Sequence, residues 1–87
     1  MPDAGRFLIR RWADGCAVFD QTSGDTHALD SASSAGFAAD RQGQSALAAI
    51  DAALRGQWPE KNDEEIALLA ADCLERLEAC GLIRAEA

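Results

Sequence analysis

The chain has 87 residues, 48% of them hydrophobic with alanine prominent, and its 15 acidic and 8 basic side chains give a formal charge of −7. That length builds one domain around one core and leaves no room for a second. The acidic balance argues against phosphate-rich partners and anionic membrane surfaces, which call for a basic footprint, and it suits a basic partner instead.

Residues 1–5 read as a flexible tail and 6–87 as the single domain. Arg6 to Trp12, RFLIRRW, is short and rich in apolar and long side chains, as a strand requires. Ala13-Asp14-Gly15 follows, and Asp-Gly is a two-residue hairpin signal because both positions tolerate positive φ. Cys16 to Gln21 is the returning strand. Thr22-Ser23-Gly24-Asp25 is a second turn, with Gly24 free to take the left-handed position, and Thr26 to Leu29 is a third strand. Three strands joined by short turns make an antiparallel meander.

Helical signals begin at Asp30 or Ser31, either of which can cap a helix running to about Asp40. Ser33, Ser34 and Gly36 weaken that helix, and Phe37 is its one large anchor. Gln42-Gly43 breaks it. Ser45 caps a second helix carrying Leu47, Ile50 and Leu54, which Gly56 ends. In the connector, Pro59 keeps Trp58 extended, and Trp58 is expected to fold back on the core as a lid. Asn62 and Glu65 form the capping-box pair of a third helix, and Asp63, Glu64 and Glu65 favour the positive end of its dipole. Ile66, Leu69, Cys73, Leu77 and Cys80 are its apolar stripe, widened by Leu74, and Gly81 stands where such a helix stops. Leu82 to Ala85 is a candidate short strand. The order, three strands then three helices, defines a small α+β domain with the helices on one side of the meander.

The run Ser23-Gly24-Asp25-Thr26-His27-Ala28-Leu29-Asp30 holds a serine, the sole histidine and two aspartates, the residue types of a hydrolase site. A Ser/His/Asp device brings its members together from separate elements. Along one strand, neighbours at odd spacing face opposite sides, so His27 does not serve both Ser23 and Asp30. The reading is a turn followed by a strand. Cys16, Cys73 and Cys80 lack zinc-site spacing, no glycine-rich loop precedes a helix, and no metal or cofactor is expected. Cys73 and Cys80, about 10 Å apart along one helix at about 1.5 Å per residue, are beyond disulfide reach. Buried free thiols in a reducing cytoplasm are expected. No stretch approaches a membrane span or a signal pattern.

What remains is binding. A meander has two edges, and an uncovered edge offers backbone donors and acceptors to an added peptide strand. The strand from Thr26 to Leu29 carries no proline or lysine to block pairing. The bland alternative is an ordinary short edge strand, or one covered by the chain's own C-terminus.

Trp12, the strand Cys16-Ala17-Val18-Phe19-Asp20, the run Ser23 to Leu29 and the ending Leu77-Glu78-Ala79-Cys80-Gly81-Leu82-Ile83 stand in an order and spacing that resembles the PqqD-like family. The likeness is greatest to the branch found with HPr-kinase-related proteins, and it runs over most of residues 6–84. The resemblance implies a winged-helix-like fold and a non-catalytic role: capturing the leader segment of a ribosomally made precursor peptide by strand addition and presenting it to a modifying enzyme. Carried over here, the groove would use the backbone of Thr26, His27, Ala28 and Leu29. Its other wall would be the flank of the last helix near Leu68, Asp72, Glu75 and Arg76. The Ser- and Gly-interrupted first helix departs from relatives, which tend to be more apolar there.

The expected partners are therefore a leader peptide carrying at least one basic residue, and a modifying enzyme or HPr-kinase-related protein. An open edge could also pair two copies about a two-fold axis. A docking subunit that uses the same edge without a leader peptide is the alternative reading. A DNA-binding winged helix is disfavoured, because residues 63–80 hold six acidic side chains against Arg76 alone.

Overall fold

The computed structural model describes residues 6–83. In chain order it contains β1 (Phe7–Trp12), β2 (Gly15–Asp20), β3 (Asp25–Asp30), α1 (Ser31–Arg41), α2 (Ala46–Gln57) and α3 (Asp63–Ala79). The strands form one antiparallel sheet in the order β1-β2-β3. The fold is thus α+β, a meander followed by three helices.

Side chains alternate across the sheet. Phe7, Ile9, Cys16, Val18, Asp20, His27 and Leu29 face the helices, while Leu8, Arg10, Ala17, Phe19, Thr26 and Ala28 face away. The central strand is the most buried, with Cys16 and Val18 almost fully enclosed. Asp20, at its inner end, is 4% exposed and is matched by Arg6, whose Nη2 donates to Oδ2 at 3.2 Å. Its Oδ1 accepts from the Thr22 amide at 2.9 Å and so also shapes the β2–β3 turn. These bonds, led by that of Arg6, hold the Asp20 carboxyl below its ordinary value of 3.8.

The first hairpin differs from its sequence reading. Trp12 pairs with Gly15, so the loop is Ala13-Asp14, and no residue in it has positive φ. Gly15 instead opens β2 beneath β3, where an added Cβ would run into the Leu29 carbonyl oxygen. Glycine serves close backbone approach here rather than turn conformation. Gly24 and Gly81 do take the left-handed region, with φ of 80° and 77°.

Each helix begins at a side-chain cap. Asp30 accepts from the Ser33 amide at 2.8 Å, Ser45 from Ala48 at 3.1 Å, and Asn62 from Glu65 at 2.8 Å. The Glu65 carboxylate accepts in return from the Asn62 amide at 3.1 Å, completing the capping box. The small residues of α1 have a packing reason. Ala32, Ser33 and Gly36 are buried, and Ser34 donates to Cys16 Sγ at 3.2 Å. Phe37 anchors α1 in the core and meets Phe7 edge to face at 5.4 Å.

Four further expectations change. The buried stripe of α3 is Ile66, Ala70, Cys73 and Leu77, while Leu69 is 38% exposed and Cys80 is exposed. Ile66, Cys73 and Leu77 keep their expected places, and Ala70 rather than Leu69 completes the face that packs inward, since contact with the other helices sets it. Only Cys16 and Cys73 are therefore buried thiols; all three cysteines are free. Trp58 is not a core lid: its amide donates to Leu54 O at 2.8 Å, ending α2, and the residue stays 36% exposed with Lys61 Nζ 5.9 Å from the ring centroid. Leu82 and Ile83 form no strand; they bend into the core beside Leu77 and are buried. Residues 84 and 85 of that expected strand, and the tail of residues 1–5, lie outside the described residues.

Candidate functional site

The meander order leaves β3 with β2 on one side and, among the described residues, no strand on the other. In an antiparallel pair, alternate residues turn their N–H and C=O away from the partner. Every second residue of β3 therefore offers a donor and an acceptor outward. Thr26 and Ala28 are exposed, whereas His27 and Leu29 are half-buried on the inner side.

Beside this edge runs a groove of about 340 Å³. Thr26 through Asp30 form one wall, Arg76, Leu77 and Cys80 the other, and Ser33 of α1 closes it below. Leu77 is 2% exposed and Cys80 lies open to solvent, so the wall grades from apolar floor to polar rim. No Cα of β3 comes within 8 Å of a Cα of α3. The two elements thus stand more than 8 Å apart, farther than the about 4.8 Å at which strands pair.

Of the residues expected at this site, Thr26, His27, Ala28, Leu29 and Arg76 line one groove. Asp72 reaches it through Arg76, whose Nη2 lies 3.2 Å from Asp72 Oδ2. Leu68, which is 69% exposed, and Glu75 lie on α3 but outside the lining. The lining adds Asp30, Ser33, Leu77 and Cys80. A signal for two of them was present in the sequence: Cys80 follows Arg76 by four residues and Leu77 by three, which places them on one helical face.

The polar run 23–30 resolves into separate structural tasks. Ser23 Oγ accepts from the Asp25 amide at 3.2 Å, within the turn. Asp30 caps α1 at the far end of the strand. A six-residue strand keeps its ends about 17 Å apart, so these side chains do not form a proton relay with His27. Among the described residues no three His, Cys, Asp or Glu side chains gather as a metal site, and no helix is long and apolar enough to cross a membrane.

No family model and no curated protein sequence matches the chain. Among solved structures it is similar to TbiB1 in complex with the TbiA(beta) leader peptide, with a TM-score of 0.71 over 95% of this chain and 94% of that one. The two are 16% identical, so the likeness is one of fold.

Proposed function

We propose that the protein is a non-catalytic, PqqD-like binding domain that takes up the leader segment of a precursor peptide as an added strand on β3 and presents it to a modifying enzyme or HPr-kinase-related protein. The observation that carries this reading is the unpaired β3 edge facing a groove whose other wall is α3, in a fold that TbiB1 shares and in which TbiB1 is solved with a leader peptide. Backbone bonds to residues 26–29 would supply register, and the groove would sort side chains. Arg76, with Asp72 beside it, would form the opposite wall; Glu75 and Leu68 would extend the rim for a longer segment.

Charge complementarity specifies the ligand further. β3 is bracketed by Asp25 and Asp30, and α3 carries six acidic side chains, while Arg76 is already engaged by Asp72. A leader with a lysine or arginine near its docking strand matches this field. The same aspartates disfavour β3 pairing with a second β3, since antiparallel self-pairing sets Asp25 opposite Asp30. The three free thiols suit work in the cytoplasm.

Titrating isotope-labelled protein with synthetic leader peptides tests the reading. Shifts should concentrate at the amides of 26–30 and of 72–80. Saturable binding with shifts confined to other surfaces would refute the groove.

A further inference from the structure

The outer face of the sheet has a composition that a solvated face does not explain. Antiparallel sheets with one wet face ordinarily alternate apolar-in and polar-out. Here the outward positions of β1 and β2 include Leu8, Ala17 and Phe19, and Ala28 continues the strip on β3. Leu8 is 55% exposed and Trp12, at the end of β1, is 48% exposed. A shallow hollow of about 240 Å³ lies among Leu8, Arg10, Ala17, Phe19 and Thr26. With Ala17 and Phe19 half-buried and Leu8 and Trp12 exposed, this apolar strip on an otherwise open face has the character of an interaction surface.

We infer that this face is covered by the same face of a second copy, in a two-fold, sheet-on-sheet dimer. The charge pattern selects that occupant. β1 carries Arg10 on the outer face, and among the described residues Arg10 has no ion-pair partner. β3, on the opposite side of the sheet, carries Asp30 on that same outer face, two residues from Ala28. A two-fold axis parallel to β2 and lying between the sheets stacks β2 on β2 and each β1 on the other copy's β3. The arginine-bearing strand then covers the aspartate-bearing strand twice over.

The register makes the fit specific. Arg10, Ala17 and Ala28 share one level, as do Leu8, Phe19 and Thr26. Arg10 therefore meets Ala28 of the second copy, whose methyl side chain leaves room for the guanidinium to extend toward Asp30. The two Phe19 rings meet across the axis, and Leu8 packs on Thr26. Trp12 is level with Asp30, which supplies an acceptor for its indole N–H. Aligned packing of twisted sheets rotates them by about 30°, so the match is best near Ala17 at the centre. Three strands of six residues offer a projected area of only about 15 × 20 Å. That footprint is small beside a stable homodimer, so the association is weak and concentration-dependent. The helices and both β3 edges stay on the outside, so the inference stands independently of the proposed peptide groove.

Sedimentation velocity from micromolar to millimolar concentration tests it, run on a Trp58→Phe protein so that Trp12 is the sole indole. The expected result is a reversible rise from monomer to dimer, with Trp12 emission moving to the blue in step. Leu8→Glu and Arg10→Glu, both at exposed positions, should abolish the rise while circular dichroism stays unchanged; Glu64→Gln on α3 should leave it intact. A monomer throughout the range overturns the inference, because another molecule or none then covers the face. So does a dimer indifferent to Leu8→Glu, or growth beyond two copies.

Discussion

Gly36 of α1 and Ile50 of α2 are in such close contact that a Cβ at position 36 would lie 2.6 Å from Ile50 Cγ1 and 2.7 Å from its Cδ1. Ile50 is fully buried and has nowhere to retreat. Gly36→Ala adds helix propensity of up to about 1 kcal/mol, but overpacking a core costs about 1–3 kcal/mol, and the second effect should win. The expected outcome is a net loss of about 1 kcal/mol in urea unfolding. Adding Ile50→Val, which removes Cδ1, should recover part of it, giving a non-additive cycle.

Gly15→Ala should be more damaging, because its obstacle is the Leu29 backbone rather than a side chain. The β2–β3 pairing must shift to admit the methyl group, and the groove edge shifts with it. Destabilisation of about 3 kcal/mol is expected, together with faster amide exchange in β3. Unchanged exchange there would show that the strand pair tolerates a side chain.

Asn62→Ala removes the acceptor for the Glu65 amide and dissolves the capping box. The loss expected in chemical denaturation is about 1 kcal/mol. Asn62→Asp should keep most of the stability, since a carboxylate accepts the same bond and favours the helix N-terminus.

Acid stability should depend on Asp20. Its carboxyl is held below the ordinary 3.8 chiefly by Arg6. A depressed folded-state value means that the unfolded chain takes up the proton first. The contribution is therefore complete above the ordinary carboxylate value and is lost as the pH falls through the lower folded value. Urea midpoints measured from neutral pH downward should fall in that acid window. The fall should be shallower for Asp20→Asn, which keeps an acceptor for the Thr22 amide but has no carboxyl to titrate.

Cys80 provides a reporter on the groove. It is exposed while Cys16 and Cys73 are buried, so a maleimide should label one thiol per native chain and three after unfolding. A bound leader peptide should slow that single reaction. Cys80→Trp should fill the groove and weaken peptide binding by tenfold or more while leaving the thermal midpoint nearly unchanged.

Much of this architecture is written locally. The caps at Asp30, Ser45 and Asn62, the stop at Gly81, the turn at Gly24 and the anchor Phe37 all occupy the roles their neighbours dictate. Each such signal is completed within about four residues. Because the strands follow one another through short turns, β3 is legible as an edge from order alone. Tertiary packing decided which face each element buries. Ala70 lies inside and Leu69 outside, and Cys80 rather than Glu75 meets the groove, because the seat of α3 on α2 and α1 decides which flank is covered. Gly15 and Gly36 resemble a turn former and a helix breaker in the linear chain. Both are instead places where one element must lie against another, and such contacts join residues about 14 positions apart, beyond the range of any local pattern.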